Sequence, residues 1–161
     1  MAVHKLILDD DFAEVEYTLI AIHCNLEDYR LAYLLNKNLG LSLTRKKSDL
    51  KFNKGTITYP IYKWDDEKQQ VSWHLVSNIC KTETVREAEV NSLFQNQQKV
   101  IKTTFLLPEH KSVNYFLKID FEFSNNKKKL LLNNILNISQ IATAYSLNAN
   151  QVKTKEHLIF S

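Results

Sequence analysis

The stretch Val113–Phe123, VNYFLKIDFEF, sets Val113, Tyr115, Leu117, Ile119, Phe121 and Phe123 at every second position. Asn114, Lys118, Asp120 and Glu122 fall between them. Successive side chains of a strand point to opposite faces, so this spacing predicts a half-buried β-strand. Ser124 follows as a natural helix N-cap, because its hydroxyl can accept from an unpaired N–H of the first turn. Leu131, Ile135 and Ile138, widened by Leu132 and Leu136, then recur at helical spacing and predict a helix over about 126–137. Residues 141–147 alternate again as a strand. A turn and a last short strand at 158–160 complete a C-terminal part predicted to be ferredoxin-like or ACT-like.

Working toward the N-terminus, YTLIAIHC (17–24) is apolar nearly throughout and predicts a central strand buried on both faces. Asn25 is the expected cap of a helix running to about Asn38, with Leu31, Leu34, Leu35 and Leu39 as its stripe. Gly40 is the expected stop, since only glycine enters the left-handed region cheaply. Leu41 and Leu43, then Leu50 and Phe52, alternate as β segments, and Asn53-Lys54-Gly55 reads as a turn. Residues 56–64 predict a strand placed at a sheet edge by Pro60, which has no N–H to give a ladder. Residues 70–80 predict a strand with Val71, Trp73, Leu75 and Ile79 on one face. The polar run 81–99 predicts an exposed, mobile loop or weak helix, and residues 100–107 return to strand. A short strand is expected at His4–Leu8. The whole is an α+β single domain, 1–161: a mostly antiparallel sheet with two main helices packed on one face.

Composition excludes several classes. A chain of 161 residues with 44% hydrophobic and 24% charged side chains has enough apolar surface for a core without disulfide or metal. No apolar run reaches the ~20 residues of a membrane-spanning helix, and the N-terminus lacks a signal-peptide pattern, so a cytoplasmic protein with no membrane contact is expected. Cys24 and Cys80 are then buried hydrophobes. Two glycines cannot build a P-loop or a GxGxxG turn, and no HExxH, CxxC or GxSxG spacing occurs. Neither metal nor cofactor is expected. Asp9-Asp10-Asp11 lacks the further ligands of a calcium loop and reads as a solvated turn. His23 and Cys24 are neighbours on a strand and so cannot act together.

Leu107-Pro108-Glu109-His110-Lys111-Ser112-Val113-Asn114-Tyr115 resembles the signature of the IPExxxVDY family of Bacteroidota proteins. Leu107 stands where that pattern has Ile, and Asn114 where it has Asp. The strand TLIAIHC, the helix LEDYRLAYLLNK, the segment LVSN (75–78) and the C-terminal KTKEHLIF are similar to the family too. The resemblance carries no activity. The signature itself, Leu107, Pro108, Glu109, Val113, Asn114 and Tyr115, reads as a turn between strands. Glu109 accepts backbone N–H groups and Tyr115 sits in the core, and the alternative makes Glu109 and His110 the rim of a binding site.

Net charge is +3, with 18 Lys, 3 Arg and 15 Asn. Arg45, Lys46, Lys47, Lys51 and Lys54, then Lys127, Lys128 and Lys129, then Lys153 and Lys155, are candidate phosphate contacts if they share a face, with Tyr59, Tyr62 and Trp64 as candidate stacking groups. Large aromatics on strand faces, Trp64, Trp73 and Phe116, suit a protein partner instead. The leading expectation is a non-enzymatic protein-interaction or adaptor domain. An RNA- or ribosome-associated protein and an ACT-like small-ligand regulator are the alternatives.

Overall fold

The computed structural model describes residues 17–86 and 98–160, so the expected His4–Leu8 strand and the Asp9–Asp11 turn lie outside the described residues. In chain order the elements are β1 (Thr18–Cys24), α1 (Asp28–Leu39), β2 (Thr44–Arg45), β3 (Leu50–Phe52), β4 (Ile57–Tyr59), β5 (Ile61–Asp66), β6 (Val71–Ser77), β7 (Ile79–Arg86), β8 (Gln98–Phe105), β9 (Tyr115–Ile119), α2 (Asn125–Leu136) and β10 (Ile141–Leu147). Six strands form one antiparallel sheet in the order β10-β1-β9-β6-β5-β2. Two separate antiparallel pairs, β3-β4 and β7-β8, stand beside it. The fold is α+β, as expected.

The central strand explains the layers. Along β1, Ile20 and Ile22 join a core with Leu31, Ala32 and Leu35 of α1 and Leu131 and Ile135 of α2. Leu19 and Ala21 point the other way, into a second core with Tyr59, Val76, Leu106, Leu107, Val113 and Phe116. Both helices therefore cover one face, and the β3-β4 pair, the signature segment and the C-terminal residues cover the other. A strand with two buried faces must be apolar at most positions, which is why TLIAIHC lacks alternation.

The ferredoxin-like arrangement is present, but not as a C-terminal unit. The order β10-β1-β9-β6, with α1 following β1 and α2 linking β9 to β10, is a βαββαβ sheet that recruits β1, α1 and β6 from the N-terminal half. The signals around α2 hold: Ser124 Oγ accepts from Lys127 N, and Leu131, Ile135 and Ile138 are buried. Gly40 ends α1 at φ 66°.

Five expectations are corrected. The N-cap of α1 is Glu27, not Asn25, with no side-chain capping bond. Residues 56–64 are not one edge strand: Pro60 divides them into β4 and β5, which belong to different sheets, and β5 lies between β6 and β2. Residues 70–80 are not one strand either. The chain turns out of the main sheet at the buried Asn78, so Ile79 begins β7 and does not share the face of Trp73. Residues 81–86, with 98 and 99, are strand and not loop or helix, paired from Ile79↔Phe105 to Arg86↔Gln98. Residues 158–160 form no strand, and Leu158 closes a 3₁₀ turn (Lys155–Leu158).

Candidate functional site

The signature segment is held by one buried side chain that its own sequence does not contain. Asn78 is fully buried. Its amide nitrogen donates to the carbonyls of His110 (2.9 Å) and Val113 (2.8 Å), and its Oδ1 accepts from Leu107 N (2.9 Å). Its backbone N–H donates to Asn114 O, and its carbonyl accepts from Leu106 N, both at 2.9 Å. Leu107 and Val113, fully buried, plug the second core on either side of Pro108 and Glu109.

Asn114 ties this turn to the central strand. Its N–H donates to Ile22 O (3.1 Å), and its Oδ1 accepts from Cys24 N (3.0 Å). An Asp at this position would keep that acceptor and add a charge. The Tyr115 hydroxyl donates to Leu26 O (2.6 Å) from within the helix-side core.

Glu109 fastens the C-terminal segment. Its Oε1 accepts from Lys153 N (2.9 Å), Thr154 N (3.1 Å) and Thr154 Oγ1 (3.1 Å). Partial burial is the largest single influence and opposes ionisation. Hydrogen bonds from its own backbone and from Thr154 and Lys153 together outweigh it and hold the carboxyl below the usual range. Nearby, His157 Nδ1 lies 2.6 Å from Leu106 O; since a carbonyl only accepts, Nδ1 carries the proton. Leu107, Glu109, Val113, Asn114 and Tyr115 therefore make structural contacts, and Pro108 is exposed at the start of a 3₁₀ turn (Pro108–His110).

The basic clusters do not all share one face. Arg45 is engaged by Asp28 (3.0 Å) and Asp49 and lies over the Tyr62 ring. Lys46 N donates to Ile61 O. Lys47 is exposed beyond β2. Lys51 and Lys54 belong to the β3-β4 pair, whose Leu50, Phe52 and Ile57 pack on the second core, while Lys127, Lys128 and Lys129 open α2 in the helix layer. Tyr59 and Tyr62 are buried and present no face for a base, and Phe116, also buried, presents none to a partner.

A second polar row went unread in the sequence because Lys118 sat among residues expected to face water. Lys63, His74 and Lys118 are cross-strand partners on β5, β6 and β9, on the face of the second core. The Lys118 ammonium donates to Leu158 O (2.9 Å), sits 3.3 Å from Asp120, and lies over the rings of Tyr17 and Phe160. Burial pushes His74 down to about 4, against the pull of Asp120 at 3.9 Å, so its ring is neutral at pH 7. With Leu158 and Phe160 seated on it, the row is the floor for the C-terminal segment.

An open concavity lies on the helix side. A cleft of about 270 Å³ is lined by Leu39, Trp64, Asp66, Trp73, Lys127 and Leu130, among others. Trp64 and Trp73 face each other across β5 and β6, with ring centroids 6.1 Å apart. Phe123 packs edge-on to Trp73 at 5.9 Å, and the Lys127 ammonium lies 4.1 Å from the Phe123 centroid. The Trp73 indole N–H is buried and finds no partner among the described residues. Leu130 is 62% exposed at the rim, and Phe121, whose ring is near Phe123, is 52% exposed. The pairing of β6 with β5 brings the two tryptophans together, which sequence reading singled out as partner-surface candidates without placing them side by side.

Burial raises the Cys24 thiol, away from a reactive thiolate. Among the described residues no group of three or more His, Cys, Asp or Glu side chains could hold a metal ion, and no helix is long and apolar enough to cross a membrane. Compared with known proteins, the chain matches no protein-family description, no curated protein and no solved structure.

Proposed function

We propose that this chain is a non-enzymatic protein-interaction domain whose docking site is the aromatic cleft between α1, α2 and the β5-β6 hairpin. The observation that carries this reading is the gathering of Trp64, Trp73 and Phe123 beside the exposed Leu130 and Phe121. Burying large apolar side chains costs nothing further once they are inside, but Leu130 and Phe121 remain in water, where each forgoes the stabilisation of burial. Tryptophan-centred pockets are the usual anchors of protein interfaces. The rim offers both signs of charge, Lys127 and Asp66, for steering. A volume of about 270 Å³ lies just under the range of roughly 300–1,000 Å³ that holds small-molecule ligands, and suits one bulky side chain of a partner.

The chain contains two tryptophans, and both line this cleft, so their fluorescence reports its occupancy directly. A protein captured from native lysate is to be titrated against wild type and against Leu130→Asp. A blue shift and binding in wild type, both lost in Leu130→Asp with an unchanged circular dichroism spectrum, support the reading. Equal binding by both overturns it, as does captured nucleic acid that salt releases.

A further inference from the structure

We infer that β10 is a homodimer edge: two copies of this chain pair their β10 strands antiparallel about a twofold axis and continue the six-stranded sheet into one of twelve. This inference is independent of the aromatic cleft.

The two ends of the main sheet are built differently. One ends in β2, which is two residues long and whose second residue opens the run Arg45-Lys46-Lys47. Short length and positive charge are how natural proteins keep an edge from pairing. The other ends in β10, seven residues reading IATAYSL, with no charge and no proline. Among the described residues, β10 pairs with β1 alone, leaving its outer edge without a strand. A long, uncharged edge is the one that pairs.

The lack of charge is not confined to the strand. From Leu130 to Val152 no side chain is Asp, Glu, Lys, Arg or His, whereas charged residues make up 24% of the chain. This stretch includes the last two turns of α2, which packs beside β10, and the turn beyond it. Its surface is not apolar core turned outward. It exposes Leu136 (44%) and Tyr145 (37%) among Asn133, Asn134 and Asn137. Depletion of charge with an exposed aromatic retained is one mark of an interface centre.

The partner is identified by symmetry. At a twofold axis every side chain near the axis meets a copy of itself or of a close neighbour, so a surface of one charge sign repels its mate. A charge-free strand meets no such penalty. Asn, Thr, Ser and Tyr each carry a donor and an acceptor, so each can bond to its own kind. With Ala144 at the axis, Thr143 of one copy faces Tyr145 of the other, and neither pair sets like charges together.

The test is sedimentation of the full chain in 150 mM salt across micromolar to submillimolar concentration. Wild type is expected at twice its 18.8 kDa mass. Thr143→Lys,Tyr145→Lys places four ammonium groups about the axis and is expected at the single-chain mass with an unchanged circular dichroism spectrum. If the double variant misfolds, Thr143→Lys alone is read, since Thr143 is exposed. Val85→Lys on β7, an exposed residue of the separate β7-β8 pair, is expected to leave the dimer intact. A wild type that stays monomeric throughout overturns the inference, and so does a dimer that persists in the folded lysine variants.

Discussion

The two faces of the main sheet are closed by different physics. On the helix face, Leu31, Leu35, Leu131 and Ile135 lie on two regular helices and meet Ile20, Ile22, Leu117 and Ile119. Periodicity suffices there, because each helix satisfies its own backbone and brings only apolar side chains to the sheet. On the opposite face the covering chain is irregular: a turn at 108–113, two short strands and the C-terminal residues. Such chain cannot satisfy its own N–H and C=O groups, so buried and half-buried polar side chains must do it. Asn78, Glu109, His157 and Asn114 supply those bonds. The difference teaches that the first face depends on volume and the second on a few hydrogen bonds.

The largest effect should come from Asn78→Ala. It strands Leu107 N, His110 O and Val113 O inside the protein, and each orphaned buried group costs about 1–3 kcal/mol. A loss of at least about 3 kcal/mol is expected from urea unfolding monitored by fluorescence. Leu35→Ala on the helix face removes only packing and should cost about 2–5 kcal/mol. The two differ in kind: a volume-restoring change, Leu35→Met, should recover most of the second loss, whereas Asn78→Leu should recover none of the first. If Asn78→Leu proves as stable as wild type, the contrast between the faces is wrong.

A pH dependence should separate the faces next. His74 titrates at about 4 in the fold against an ordinary value of 6.5. Between those values the unfolded chain holds the extra proton and the folded chain does not. Stability therefore falls as pH drops from 6.5 toward 4. His74→Gln should flatten that limb of the stability profile, and an unaltered slope would show that the ring is not kept neutral by its surroundings.

A smaller effect is expected at Glu109. Its carboxyl is held below the usual range, so its contribution is present at neutral pH and is lost as pH falls through that lowered value. The group is partly solvated, which weakens it. Glu109→Ala should cost about 1–2 kcal/mol, and amide exchange should speed at Lys153 and Thr154 before it does in α2. Exchange that rises equally everywhere would deny Glu109 its local role.

Much of the helix face was legible in the chain. Ser124 before α2, Gly40 after α1 and the apolar YTLIAIHC each have a local cause, and each appears where expected. The second face was not. The alternation of Val113–Phe123 suggested one strand with a dry side and a wet side. In the fold both sides are covered: Val113 and Phe116 enter the second core, Lys118 lies under the C-terminal segment, and Phe121 ends in solvent. Pattern reading assigns inside and outside from polarity, and Lys118 is polar yet mostly covered.

The cleft was legible only as separate residues. Trp64 and Trp73 were noted as candidates for a partner surface, and they do line the concavity, but Tyr59, Tyr62 and Phe116 carried the same signal and are buried. Nothing local distinguishes an aromatic that fills a core from one that lines a cleft, because the distinction belongs to whatever packs opposite.

Chain chemistry alone was enough for what depends on near neighbours: a nearly all-apolar strand, a capped helix, a glycine stop, the α+β class, and the absence of glycine-rich phosphate loops. Partners distant in sequence settled everything else. Pro60 became a boundary between sheets, and Asn78 became the anchor of a segment some thirty residues away. A side chain's torsions and its nearest backbone bonds are short-range, so they can be read from adjacent residues. Burial and hydrogen-bond satisfaction are set by which surfaces meet, and that is defined only once the chain has closed on itself.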